Sequence, residues 1–367
     1  NNFSILHDWS IDSHYSFSHS LQHQIYRRKY LQARPWSGDV ETDDLTSESN
    51  IEYEGLLHKK TSTGEINCGL EISQSFYTSD RVENGKQNIS TNSFFCQSDT
   101  YVIKKLNLVS GARLDKYSGH DFVISPRLGL MYIPAKFWKL RATWGQGFRA
   151  PSFMERFIDW NHVQFGYQVI GNPDLKPERS KGYTAGIEYN HYENYQVSLM
   201  IYYNKFENLI QDYAIESALL SYQNINQAEY KGIEIQNRWK ISSTWVSSWG
   251  LNIIDNRDED GNMISNTQPL SSYLRFSHQH PHLRYNLAMN IKWVGSFTPT
   301  EYDPESGTYI SGEKISDYCI INGNWTFRFQ NIMNLIIGIK NIGDHTNSKI
   351  GPFIGRSFYL EITKKII

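Results

Sequence analysis

The feature that most constrains what this chain can fold into is a two-residue alternation of side-chain character, held over whole segments and repeated along the sequence. From Tyr285 the row Tyr285, Leu287, Met289, Ile291 and Trp293 is apolar, whereas the residues between, Asn286, Ala288, Asn290 and Lys292, are small or polar. Trp138, Leu140, Ala142 and Trp144 alternate with Lys139, Arg141 and Thr143 in the same way. Tyr195, Val197, Leu199, Ile201 and Tyr203 form another such row, and near the end Phe358, Leu360 and Ile362 alternate with Tyr359, Glu361 and Thr363. Period two belongs to strands, whose successive side chains point to opposite faces. Each of these strands must therefore separate an apolar medium from a polar one.

Two rows begin and end with an aromatic residue, Tyr285 to Trp293 and Tyr195 to Tyr203. A tilted strand of that length climbs about 20 Å, close to the ~25 Å apolar band between the aromatic girdles of an outer-membrane β-barrel. The faces of a soluble β-sandwich also alternate, but nothing in a sandwich places aromatics at the ends of rows. No apolar run approaches the roughly 18 residues that a membrane helix needs, and mean hydropathy is -0.54. A transmembrane barrel fits that average, because half of each strand faces a wet lumen. The formal net charge of -2 gives no reason to expect nucleic acid as a partner. Asn1-Asn2-Phe3-Ser4 has neither the basic start nor the apolar stretch of a signal peptide, so the chain reads as mature or as beginning in mid-protein.

Connection lengths test the barrel independently, since such barrels have short periplasmic turns and longer outer loops. In the second half the pattern predicts strands at 137–150, 179–190, 194–209, 224–241, 243–256, 266–279, 282–297, 315–329, 332–343 and 353–364. Long gaps alternate with tight corners at Tyr192-Glu193, Ile241-Ser242, His280-Pro281 and Gln330-Asn331. The last strand then runs down to the periplasm. Turns near Thr61-Ser62-Thr63-Gly64, Lys104-Lys105 and Pro134-Ala135 keep the same phase, giving about sixteen strands, with residues 1–14 a candidate for one more.

Few residues offer chemistry. Cys68, Cys96 and Cys319 are odd in number and far apart, so they read as ordinary strand or loop residues, with Cys68 and Cys96 the one pair that strand pairing could join. No Gly-x-Ser-x-Gly elbow is present, and the acidic run around Asp255, Asp258, Glu259 and Asp260 lacks the ligand order of a calcium loop. His278, His280 and His282 fall at a tight periplasmic corner and read as a chance cluster, not a metal site. The expectation is no enzyme, no metal centre and no cofactor.

The longest irregular stretch, 151–178, is flanked by two motifs. Before it stands Trp144-Gly145-Gln146-Gly147-Phe148-Arg149-Ala150-Pro151, and after it Gly171-Asn172-Pro173-Asp174-Leu175-Lys176-Pro177. These resemble the Phe-Arg-Ala-Pro and Asn-Pro-Asp-Leu boxes of TonB-dependent outer-membrane receptors. Lys340-Asn341-Ile342-Gly343-Asp344 and Gly355-Arg356-Ser357-Phe358-Tyr359-Leu360 are similar to that family's penultimate and closing strands, although Ile366-Ile367 replaces the usual terminal aromatic. The resemblance is carried by motifs from about 140 to 367 and by strand pattern alone before that. Read from the residues, both boxes are mainly architectural: Pro151, Pro173 and Pro177 cannot donate ladder hydrogen bonds and mark where strand gives way to loop.

The resemblance implies an all-β fold, an antiparallel transmembrane barrel of about 22 strands around a plug, driven by a TonB complex that grips an N-terminal box. Plug and box are not visible in the sequence, so residues 1–367 read as a C-terminal barrel fragment lacking plug and first strands; a complete smaller barrel without a plug is the alternative. The implied partners are outer-membrane lipid and a small metal chelate, haem or cobalamin. Trp160, Phe165 and Tyr167 offer flat contacts to such ligands. Haem receptors of the family carry a histidine in this interval, so His162 is a candidate axial ligand, set against a plain surface histidine. A passive porin-like channel and a soluble β-rich binding protein are the competing classes.

Overall fold

The computed structural model describes the chain apart from residues 34–36, 163–165, 217, 265, 281, 283, 304–307, 330–332 and 365–367. Phe165, Pro281, the Gln330-Asn331 turn and Ile366-Ile367 therefore lie outside the described residues. The strands are β1 (Asn2–Ser10), β2 (Tyr15–Ala33), β3 (Val40–Lys60), β4 (Gly64–Thr78), β5 (Lys86–Ile103), β6 (Leu106–Tyr117), β7 (Phe122–Tyr132) and β8 (Trp138–Arg149). After helix α1 (Phe153–Phe157) come β9 (Asp159–His162), β10 (Tyr167–Ile170), β11 (Glu178–His191), β12 (Tyr195–Glu216), β13 (Leu219–Lys240), β14 (Trp245–Asp258), β15 (Leu270–His280) and β16 (Tyr285–Val294). The chain finishes with β17 (Thr300–Asp303), β18 (Thr308–Ser311), β19 (Tyr318–Phe329), β20 (Met333–Lys340) and β21 (Ser357–Lys364).

Nineteen of these strands form one sheet, and β17–β18 form a separate hairpin. Because β9–β10 is a hairpin set into the outer loop, seventeen strands remain in the wall, each antiparallel to its neighbours. The wall runs from β1, paired with β2, to β21, paired with β20. The expected sixteen strands are present, and Asn2–Ser10 supplies the further one.

This wall has no second layer. A compact soluble protein of this mass exposes about 15,000 Å², whereas this chain exposes 22880 Å². The excess lies in the apolar rows: Leu287 is 44% exposed, Ile201 49% and Trp249 39%. On the other face sit the polar partners. Arg113 donates to Asp115 at 2.8 Å and to Glu71 at 2.9 Å, and Arg141 donates to Glu188 at 2.7 Å. Lipid against one face and a wet lumen against the other account for both observations.

Aromatic rings collect where the tight turns lie. Trp138 packs on Tyr189 with ring centres 4.7 Å apart, Trp245 on His278 at 4.3 Å, and Tyr285 on Trp325 at 5.8 Å. His280 and His282 continue that ring row, 6.1 Å apart. At the turn Thr61–Thr63 the first residue of β4 has to be glycine, since a Cβ on Gly64 would collide with the Asp99 carbonyl. At the opposite end the chain builds its only packed apolar cluster among the described residues, Val294, Phe297 and Ile315 with Tyr318 and Ile350 against them.

The outer strand ends differ from the sequence reading in both directions. β12 and β13 run to Glu216 and from Leu219, well beyond 209 and 224, while β15, β19 and β21 begin later than expected. Above the lipid both faces of a strand meet water, so a ladder can continue without any alternation to reveal it. The hairpins β9–β10 and β17–β18 escaped the pattern for the same reason.

One expectation is overturned. Cys68 and Cys96 are not ordinary strand residues but form a disulfide. The β4–β5 register sets them directly opposite each other, with Cα atoms 4.0 Å apart, and an outer-membrane protein passes through the oxidising compartment in which such bonds form. Cys319 remains free and exposed.

Two outcomes follow from this architecture. Ile201→Arg places a cation on the lipid face and is expected to destabilise the fold in vesicles by about 2–4 kcal/mol, whereas Ser198→Arg on the luminal row changes its stability little; denaturant titration in vesicles separates them. Alkylation of the unreduced, unfolded chain should add one group by intact mass, and three after reduction. Two or more before reduction would contradict the disulfide.

Candidate functional site

The long connection between β8 and β11 starts on Arg149 and ends on Glu178, neighbours in the ladder. Its shape follows from local chemistry. Pro151 ends β8, and Ser152 caps α1: its hydroxyl accepts from the Glu155 amide while the Glu155 carboxylate accepts from the Ser152 amide. Such a reciprocal box satisfies two otherwise unpaired helix donors. Glu155 then turns back to Arg149, accepting from it at 2.9 Å and 3.0 Å. Arg149 also donates to both Glu178 oxygens at 2.7 Å. One guanidinium thus ties the start, the helix and the end of the connection together. Glu178 and then Glu155 push this arginine further toward its charged form.

The second box closes from the other side. Asn172 donates through its side chain to the Tyr222 carbonyl at 2.9 Å and accepts from the Asp174 amide at 3.0 Å. Leu175 is 2% exposed, and Lys176 exchanges hydrogen bonds with Asn224 on β13 at 2.8 Å and 2.9 Å. Gly171 lies against the Arg156 backbone, with no room for a Cβ. Phe148 and Ala150 are half-buried, while Pro173 and Asp174 are exposed on the turn. In this arrangement Arg149, Asn172 and Leu175 hold the loop in place.

Between the boxes, β9 and β10 bring three of the candidate ligand residues together. The His162 ring lies 4.2 Å from Trp160 and 5.2 Å from Tyr167. His162 is only 9% exposed, a ring packed among rings and not a surface side chain.

The residue that holds this group in place gave no signal in the sequence. The Arg81 guanidinium stands 5.4 Å from the Trp160 ring and 4.8 Å from that of Tyr30, and Tyr30 meets Trp160 edge-on at 5.6 Å. Arg81 donates to the fully buried Asp44 at 3.0 Å and to Thr46 at 3.0 Å. Asp44 also accepts from Thr46, Ser79 and the Asp80 amide at 2.7–3.0 Å. Burial opposes ionisation of Asp44, but these donors outweigh it and hold its carboxyl below the ordinary value. Backbone pairing completes the joint, with Val82 bridged to Ile158 and the Asp159 amide donating to the Arg81 carbonyl at 2.9 Å. Sixteen residues of β3 separate Asp44 from Lys60, roughly 40 Å of climb, which puts the joint above the lipid band. Below it the luminal wall carries a hollow of about 720 Å³ lined by Asp99, Asn107, Arg127, Arg141 and Gln146 among others.

A family model described as "TonB dependent receptor-like, beta-barrel" matches residues 1–342. The chain belongs to the TonB-dependent receptor family. This TonB-dependent receptor barrel is 26% identical over 272 residues to the iron-regulated outer membrane virulence protein of Vibrio cholerae, covering 68% of this chain and 40% of that protein. It is 24% identical over 212 residues to a probable hemoglobin and hemoglobin-haptoglobin-binding protein of Haemophilus influenzae, covering 52% of this chain and 20% of the other. Among solved structures, a mutant of the ferric enterobactin receptor of Pseudomonas aeruginosa superposes with TM-score 0.82 at 17% identity, over 99% of this chain and 61% of that one. The fold and the outer-membrane location of the barrel are those of its family. The chain spans about two fifths of the length of the first of these relatives.

The charge staple yields a pH signature. For Glu155 burial favours the neutral acid, yet the Arg149 guanidinium and the Ser152 donors outweigh it and keep the carboxyl below its usual value. The stabilisation is therefore complete above the ordinary carboxylate range, ~pH 4–5, and is lost as pH falls through the lowered value. Hydrogen exchange of residues 153–175 should be slow and flat above that range and accelerate below it. Arg149→Ala, at a half-exposed site, should raise exchange at neutral pH by the equivalent of roughly 1–2 kcal/mol and flatten the acid step.

Proposed function

We propose that this barrel is the ligand-capturing wall of an outer-membrane active-transport receptor for a scarce iron chelate, with transport energy supplied by a TonB complex. The observation that carries the reading is the locked outer mouth: Arg81 stands over the Tyr30 and Trp160 rings, Tyr167 meets His162 beside them, and Arg149 ties the two ends of the connection that carries Trp160 and Tyr167. Flat rings beside ordered polar groups suit a chelate with aromatic or extended apolar surface. Relatives named for iron regulation, haemoglobin and ferric enterobactin support an iron-containing cargo. On this reading the plug, the TonB-contacting segment and further strands that complete the barrel belong to the same receptor outside residues 1–367.

Haem is the second reading, favoured by the position of His162 within the aromatic group. Cobalamin has no comparable residue arguing for it here.

Uptake of a radiolabelled ferric chelate by cells expressing the receptor should cease when TonB is deleted; uptake that persists would identify a passive channel instead. For haem, the Soret band of the purified receptor should shift in the wild type and not in His162→Ala. Equal spectra in the two would remove His162 from the ligand set while leaving the uptake result intact.

A further inference from the structure

The tight turns, which face the periplasm, carry a group of cations that neither the outer site nor the luminal network uses. Lys104 and Lys105 make up the whole turn between β5 and β6. Lys105 reaches across to the next turn, donating to the Pro134 carbonyl at 2.9 Å. On that turn Lys136 donates to the Tyr192 hydroxyl at 3.4 Å and lies 4.9 Å from the Tyr192 ring and 5.3 Å from the Phe137 ring. Phe137 and Tyr192 in turn flank His191, with ring centres 4.9 Å and 5.0 Å away. All three lysines are exposed, and no carboxylate pairs with any of them among the described residues.

Depth and charge together define what this surface fits. The neighbouring pair Trp138 and Tyr189 belongs to the aromatic girdle, and girdle aromatics sit at the level of lipid headgroups. Three ammonium groups at that level, one of them steadied over two rings, face a leaflet built of phospholipid. Lysines beside a membrane surface attract anionic lipid strongly and short-range. A periplasmic protein would find the same charge, but not at a depth set by lipid-facing tryptophan and tyrosine.

We propose that Lys104, Lys105 and Lys136, with the Phe137–Tyr192 platform, form a binding site for the phosphodiester headgroup of an anionic phospholipid in the periplasmic leaflet. The ammonium groups neutralise the phosphate, the rings orient Lys136, and the acyl chains lie along the Trp138 and Leu140 row, which rises from the turn into the bilayer. The site is independent of the cargo and of TonB.

The test is native mass spectrometry of the detergent-purified receptor equilibrated with dioleoylphosphatidylglycerol or dioleoylphosphatidylcholine, each variant first shown to migrate as a folded, heat-modifiable barrel. Wild type should retain phosphatidylglycerol at activation energies that strip phosphatidylcholine. The triple variant K104Q/K105Q/K136Q should lose that preference by about tenfold or more, judged from the pull of three surface lysines on anionic lipid, and Lys136→Gln alone by less. Lys59 and Lys60 lie on the same rim, and K59Q/K60Q should keep the preference. Equal retention of both lipids by wild type, an undiminished preference in the triple variant, or an equal loss in K59Q/K60Q would overturn the site.

Discussion

Everything in this molecule depends on the backbone having nowhere but itself to place its hydrogen bonds. In hydrocarbon an unpaired amide or carbonyl costs several kcal/mol, and a chain without apolar helices can meet that demand only by laying strand against strand. The seventeen-strand wall follows from this, and so does the side-chain pattern. Once the backbone is spent on the ladder, each residue can only choose a face. Leu287 and Ile201 go to lipid, and Arg113 and Glu188 to the lumen, with no core between them.

That constraint also explains what could be read from the sequence. Rows such as Tyr285 to Trp293 were legible because two solvents impose a period of two on the residues themselves. Where strands rise above the lipid the imposition ends, and the ladder of β12 and β13 continues unseen to Glu216 and Leu219. The disulfide was hidden differently. Two cysteines twenty-eight residues apart signal nothing until the β4–β5 register sets Cys68 against Cys96, and register is a property of the pairing and not of either segment alone.

The outer site was half legible. Pro151, Pro173 and Pro177 marked the two ends of a built loop, whereas the capping box of Ser152 and Glu155 came to light only in the folded chain. What could not be read was Arg81. Its partners come from the β2–β3 hairpin, where Tyr30 lies opposite Asp44, and from β9 more than a hundred residues on, and these ends converge only in three dimensions. His162 shows the converse: its interval pointed to a candidate ligand or a plain surface histidine, and nothing in the sequence told that its ring would pack between Trp160 and Tyr167.

The Cys68–Cys96 bond lies within the wall itself, four rungs from the Gly64–Thr100 end of the β4–β5 pair. Hairpins in a featureless ladder can slide past one another, and a slip of one position would turn every lipid-facing residue inward. A covalent rung between two strands removes that freedom for both. It marks one fixed line of longitude on the cylinder from which the alignment of each neighbouring strand can be counted.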